Sequence, residues 1–173
     1  TVGTVVVDPH GGIALSGGGD NRVTLWSDDG TPVRRFEGPG TWVYAVATND
    51  TYMATGSADG GIRVWDLTEG RLLRTIDAHS AAVASLDMSD DGTRLISGGG
   101  DGRVRVWDAL SGDMLYDFNQ HEAWVYGVAI SPDATVGVSG SADETVMVWD
   151  LSTGKAIQSI EEHDGEVTSV SIT

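Results

Sequence analysis

Histidine, serine, aspartate and tryptophan recur as a set in this chain: His79, Ser97, Asp101 and Trp107, then His121, Ser139, Asp143 and Trp149. Serine, histidine and aspartate are the side chains of nucleophilic acyl transfer, in which an imidazole takes the proton of an attacking hydroxyl. Two features oppose that chemistry. The set is duplicated, each member 42 residues from its counterpart, and a tryptophan accompanies it both times. A catalytic constellation needs one copy, whereas a structural tie is expected wherever the same local architecture returns. A buried indole N–H or hydroxyl without a partner costs about 1 to 3 kcal/mol, so a linked set of four has a reason to exist without catalysis. No catalytic residues are expected. Partial sets occur elsewhere: Thr55, Asp59 and Trp65 without a histidine, Ser16, Asp20 and Trp26 without upstream sequence to supply one, and His163 near the end. The copies lacking a histidine are expected to be the less rigid ones.

Other candidate chemistry is weaker. The glycine-rich stretches at 17–19 and 98–102 lack the following helix N-terminus and the Lys or Ser/Thr offset of a phosphate-binding loop. Asp28-Asp29-Gly30 and Asp90-Asp91-Gly92 lack the further spaced oxygen ligands of a calcium loop. Histidines 42 residues apart are poorly spaced for zinc, and His10 reads as a solvated turn residue. Neither metal nor cofactor is expected.

These residues must be positioned by a repeated element. Trp26, Trp65, Trp107 and Trp149 are separated by 39, 42 and 42 residues, and Asp20, Asp59, Asp101 and Asp143 stand six residues before them. The text around the anchors recurs, as in ATGSADGGIRVWD at 54–66 and LISGGGDGRVRVWD at 95–108. Each copy divides into four strand-sized runs, here named a to d, separated by Gly/Asp/Ser-rich turns. In the third copy they are 82–88, 93–98, 103–108 and 114–118, and strand c alternates, Val104 and Val106 on one side, Arg105 and Trp107 on the other. A sheet of four short strands cannot bury both faces alone, so successive copies must stack face to face.

With Trp-Asp dipeptides ending at Asp66, Asp108 and Asp150, this pattern closely resembles the WD40-repeat β-propeller family over essentially the whole chain. The resemblance implies an all-β fold, a single segment 1–173 made of four four-stranded antiparallel blades (1–40, 41–80, 81–122 and 123–165) plus the innermost strand of a fifth at 166–173. It also implies that each full set is a hydrogen-bonded tetrad running from strand c to a turn. The first copy departs with Trp26-Ser27, and the second has Pro39 where others have histidine. Four blades make a partial ring, expected to be completed by the rest of a longer chain, with a second copy as the less favoured source.

Function by this resemblance is non-enzymatic: a scaffold presenting a propeller face to protein or peptide partners. Two alternatives stand beside it, a structural subunit held in a larger assembly by blade edges and the WD40 part of a longer multidomain protein. The aromatics TWVYAVA at 41–47 and AWVYGVAI at 123–130 do not recur in every copy. Trp42, Tyr44, Trp124 and Tyr126 are therefore the candidate binding residues, with Glu122, Asp164 and Glu166 as an acidic rim favouring a basic segment. The net charge of −16, with Lys155 the single lysine, opposes nucleic acid, and no apolar run reaches the roughly 20 residues of a membrane span. The absence of cysteine fits an intracellular, cytoplasmic protein.

Overall fold

The computed structural model describes residues 1–7, 12–38 and 40–172. His10 and Pro39 lie outside the described residues. Among the described residues, sixteen strands fill four antiparallel sheets, each pairing its strands in chain order. The first holds β1 (Val2–Val7), β2 (Ile13–Gly18), β3 (Arg22–Ser27) and β4 (Pro32–Glu37); the second holds β5 (Val43–Thr48), β6 (Tyr52–Ser57), β7 (Gly61–Asp66) and β8 (Leu72–Asp77). The third holds β9 (Val83–Met88), β10 (Arg94–Gly99), β11 (Val104–Asp108) and β12 (Met114–Phe118); the fourth holds β13 (Val125–Ile130), β14 (Val136–Ser141), β15 (Val146–Asp150) and β16 (Lys155–Ile160).

Turn chemistry explains why the strands break where they do. Between strands b and c, residues 21, 60, 102 and 144 all take the left-handed conformation, at φ values of 64°, 80°, 74° and 72°. Glycine or asparagine accepts this readily, and Glu144 adopts it against its preference. The Asp of each Trp-Asp dipeptide caps the next turn: the Asp66, Asp108 and Asp150 carboxylates accept backbone N–H bonds from Glu69, Ser111 and Ser152 at 2.7, 2.7 and 2.8 Å. Where Ser27 replaces Asp, its hydroxyl donates to Asp29 at 2.6 Å and Asp29 accepts the Thr31 N–H at 2.9 Å, so the turn is held by a different residue.

The apolar cores lie between blades rather than within them. One joins Leu15 and Phe36 to Val43 and Trp65, a second joins Ile62 and Ile76 to Val83 and Trp107, and a third joins Val104 and Phe118 to Val125 and Trp149. Each interface is keyed by a glycine of strand b. A Cβ on Gly17, Gly56 or Gly98 would meet Val43, Val83 or Val125 of the next blade at 2.8, 2.6 and 2.6 Å. These valines are fully buried.

Strands β1, β5, β9 and β13 are neighbours across the blade boundaries and surround a cavity of about 300 Å³ lined by Val6, Val46, Asp87, Ile130 and Ile172. Asp87 accepts the Ile130 N–H at 2.9 Å and Ser85 the Val128 N–H at 3.1 Å, satisfying donors on the inner edge of β13. Burial pushes the Asp87 carboxyl above the usual carboxylate range, against those backbone bonds.

The fifth blade's innermost strand, expected at 166–173, has no partner strand beside it among the described residues. Residues 166–172 pair with no strand, because a ladder needs a second strand alongside and none is matched to this segment among the described residues. Position is kept without pairing: the Val167 N–H donates to the Ser141 carbonyl at 2.9 Å, and a Cβ on Gly140 would meet Val167 at 2.5 Å.

Candidate functional site

In the third blade, β11 carries Trp107 beneath Ser97 of β10, and the indole N–H donates to the Ser97 hydroxyl oxygen at 2.9 Å. His79 Nε2 lies 2.8 Å from the same oxygen, and Nδ1 lies 2.8 Å from Asp101. A carboxylate only accepts, so Nδ1 carries the proton and Nε2 receives the Ser97 O–H. The fourth blade repeats the chain: Trp149 N–H to Ser139 at 2.9 Å, His121 Nε2 to Ser139 at 2.8 Å and His121 Nδ1 to Asp143 at 2.9 Å. Both serines are fully buried and their oxygens already receive the indole N–H, so a substrate carbonyl has no approach to them.

The tetrads tie loop to turn. Asp143 also accepts the Glu122 N–H at 2.9 Å, and Asp101 accepts the Ser80 N–H at 3.2 Å, so the d-to-a loop is fastened to the b-to-c turn. Arg105 joins the third blade's set, donating to the Ala78 carbonyl at 2.8 Å and to Asp101 at 3.0 Å. The second copy's set of Thr55, Asp59 and Trp65 has no histidine. Trp65 reaches Thr55 at 3.3 Å, while Arg63 donates to Asp59 at 2.8 Å and to Ser57 at 3.0 Å, so a guanidinium replaces the imidazole as the link to the aspartate. In the first blade Trp26 donates to Ser16 at 2.8 Å and the exposed Asp20 accepts the Arg22 N–H at 3.4 Å. His163 is exposed.

The aromatics stand at the start of strand a. In both blades the pairing register shifts there, between Val43 and Ala45 and between Val125 and Gly127, leaving Tyr44 and Tyr126 as bulge residues. A bulge bends its strand and re-aims the extra side chain. Tyr44 is 37 % exposed and Tyr126 half-buried; Trp42 and Trp124 are each 42 % exposed. The rings pair, Trp42 with Tyr44 at 5.6 Å between centroids and Trp124 with Tyr126 at 6.0 Å. Each indole also packs on the preceding blade: a Cβ on Gly19 would collide with Trp42, and one on Gly100 would meet Trp124 at 2.8 Å. Glu122, Asp164 and Glu166 are exposed. The glycine seats escaped the sequence reading, although a signal existed: Gly19 and Gly100 alternate with Ala58 and Ala142 in step with the tryptophans.

Comparison with known proteins decides the family. The model of the WD domain, G-beta repeat, matches residues 30–66, 70–108 and 112–150. The chain belongs to the WD40 repeat family. Each WD40 match begins at or near one blade's strand d and ends on strand c of the next, so the sequence repeat is staggered against the sheets. Among relatives, eukaryotic translation initiation factor 3 subunit I of Neurospora crassa is 33% identical over 88 residues, 49% of this chain and 25% of that protein. Mitochondrial division protein 1 of Eremothecium gossypii is 50% identical over 42 residues, 24% of this chain and 6% of that protein. The crystal structure of the computationally designed Ika8 protein superposes with a TM-score of 0.84 at 34% identity, covering 94% of this chain and 50% of the designed one. The chain thus spans a quarter or less of the length of these two natural relatives. No helix among the described residues is long and apolar enough to cross a membrane.

The WD40 tetrads make stability pH-dependent with a definite sign. Burial holds the His79 ring below its usual 6.5, outweighing the attraction of Asp101, so the fold favours the neutral ring. Its contribution is present above the unfolded value and is lost as pH falls through about 6.5. Burial opposes ionisation of Asp101, but bonds from His79 and Arg105 outweigh it and hold the carboxyl at about 2. At Asp143 burial is likewise outweighed, by Thr145, Glu122 and His121, again giving about 2. These carboxylates contribute stability above their ordinary 3.8 and lose it as pH falls toward about 2. The urea midpoint is therefore expected to drop in two stages between about pH 7 and pH 3, with His79→Gln flattening the first. A midpoint unchanged between about pH 7 and pH 5 would contradict the His79 assignment.

Proposed function

We propose that this WD40 segment is a non-enzymatic interaction scaffold whose paired aromatics and acidic rim hold a basic segment of a protein partner. The observation that carries the proposal is the exposure of Trp42, Tyr44 and Trp124 on bulged strand starts, next to a loop that Asp143 fastens at Glu122. Aromatic anchors beside charge are the usual composition of an interface hot spot, and an arginine or lysine over a ring gains about 0.5 to 2 kcal/mol. A net charge of −16 adds long-range attraction for such a partner. The tetrads serve in this proposal as ties that set the loops, with no catalytic part. An intracellular setting belongs to the same proposal, supported by the absence of cysteine.

A structural role in a larger assembly is the second reading, and one feature favours it. Val2, Val5 and Val7 of β1 are 65, 63 and 64 % exposed, an apolar face of a kind that other blades cover. In that reading the ring is completed by further blades of a longer chain. The two readings separate by a binding experiment with a fluorescent peptide of alternating arginine and glycine. Tyr126→Ala is expected to weaken binding by about 2 kcal/mol, roughly 30-fold, while Asp28→Ala at the opposite end of the blades leaves it unchanged. Affinity is expected to fall as salt rises, because the rim is solvent-screened. Equal affinity of the two folded variants would sink the site and leave the aromatics as blade packing.

A further inference from the structure

Strand c carries an arginine at the same place in the second and third blades, Arg63 and Arg105, and in the fourth blade Met147 stands there, 42 residues after Arg105. Both guanidiniums fold back onto the b-to-c turn. Arg63 donates to Asp59 at 2.8 Å, and Arg105 donates to Asp101 at 3.0 Å and to the Ala78 carbonyl at 2.8 Å. Arg105 also pairs through Nε with Asp117, its partner on strand d, at 3.3 Å. In the fourth blade the corresponding side chain is uncharged: Met147 is buried, and its partner on strand d is Ser159.

A cavity of about 260 Å³ opens at this corner of the fourth blade, floored by Met147 and walled by Glu122, Asp143, Thr145 and Glu161. Three of these are carboxylates, and neither lysine nor arginine lines the space. The corresponding cavity of the third blade, about 410 Å³, supplies its own cation, because Arg105 lines it together with Asp77 and Asp117. Asp143 takes the Thr145 hydroxyl at 2.6 Å where Asp101 takes Arg105, so the Thr145 oxygen has given its proton and keeps lone pairs for an incoming donor. Ser159 donates to Glu161 at 3.3 Å, which holds that carboxylate beside the cavity. Residues of three separate segments thus offer acceptors around an apolar floor: the d-to-a loop at Glu122, the b-to-c turn at Thr145, and the end of strand d at Glu161. A planar fork of N–H donors reaches several such acceptors at once, whereas an ammonium is a single, strongly hydrated point. The methylene stem of an arginine also lies well along an apolar surface such as the Met147 side chain.

We propose that this cavity seats one arginine side chain of a protein partner on Met147, between Glu122, Thr145 and Glu161, in the place that the chain fills with its own arginine in the two preceding blades. The inference rests on the reading of a basic partner segment given above and assigns the position of one of its arginines. Glu122 and Trp124 stand two residues apart on one loop, so the cavity and the paired rings of Trp124 and Tyr126 are served by the same segment.

The probes are the fluorescent arginine-glycine peptide and a lysine-glycine counterpart of equal length. Binding is measured by anisotropy, and the methionine methyl resonances are followed by NMR, that of Met147 being assigned with Met147→Leu. The arginine peptide is expected to shift the Met147 methyl saturably and to leave that of the fully buried Met53 unmoved. The lysine peptide is expected to bind about tenfold more weakly. Met147→Arg fills the cavity from within and is expected to weaken the arginine peptide about tenfold, while Thr153→Arg, the same change of charge at the other end of the blade, leaves affinity within about twofold. Glu161→Gln alters an exposed residue and is expected to weaken the same peptide several-fold, which keeps the test decisive if Met147→Arg folds poorly. A silent Met147 methyl, or equal affinity for the two peptides, overturns the proposal. If the methyl is silent while Tyr126→Ala still weakens binding, the arginine seat fails and the aromatic site stands. If the methyl responds while Tyr126→Ala changes nothing, the seat stands and the aromatic site fails.

Discussion

Trp149→Ala is expected to lower the unfolding free energy by about 3 to 5 kcal/mol, the range for removing a large aromatic from a packed core. Trp149 is fully buried, stacks on Phe118 of the preceding blade with centroids 4.3 Å apart, and sends its N–H to Ser139. Its side chain thus belongs to two systems, the apolar interface and the tetrad, and Trp149→Phe separates them. Phenylalanine keeps a ring against Phe118 but removes the donor, so its cost should be about 1 to 3 kcal/mol, the penalty of a lost buried partner. Urea denaturation of both variants measures the difference. A Trp149→Phe protein as unstable as Trp149→Ala would mean that the indole N–H, not the stacking, dominates; one indistinguishable from the wild type would mean that the tetrad contributes no stability.

Gly98→Val should be nearly as damaging, at about 3 kcal/mol, by the opposite mechanism of overpacking. The position sits in β10, where an added Cβ meets Val125 at 2.6 Å and Val128 at 3.0 Å, both buried in the next blade. No void is available, so the blades must part. Gly98→Ala is milder, and combining it with Val125→Ala is informative, because the truncation removes the Val125 Cγ1 that the added methyl meets and the methyl refills part of the gap left behind. The double variant is expected to be more stable than the sum of the single effects predicts, by about 1 kcal/mol or more, as contacting residues couple. Strict additivity in denaturation measurements would show that the glycine is required for its backbone and not as a seat for the valine.

Much of the architecture is visible in the sequence because its determinants repeat. The tetrad partners return every 42 residues, and turn residues such as Asp59-Gly60 and Asp101-Gly102 punctuate the strands at fixed offsets. Contacts that break the period are hidden. Arg63 and Arg105 occupy the same strand position, yet one links to an aspartate in place of histidine and the other reinforces a complete tetrad. Only the geometry of the loop, set by the presence of His79, distinguishes them. The bonds from Ser85 and Asp87 to β13 join residues 43 apart, and no such polar pair stands at Ala45 and Ala47 of the second blade. The segment 166–172 carries the alternation of a strand, but pairing is a property of two segments and cannot be read from one.

Trp42 resting on Gly19 and Trp124 on Gly100 bear on how a chain like this can be lengthened by copying. Blades two and four offer Ala58 and Ala142 where blades one and three offer glycine, and the third blade carries Ala82 at the position of the tryptophan, directly before Val83. Duplicating a single repeat of the tryptophan type beside itself would set an indole against a methyl group, a collision between adjacent blades. Duplicating two successive repeats preserves every match, since each tryptophan arrives with its glycine already in the blade before it. The unit that can be inherited without repair is therefore the pair of blades, and the 82 residues from Trp42 to Trp124 are its length in this sequence.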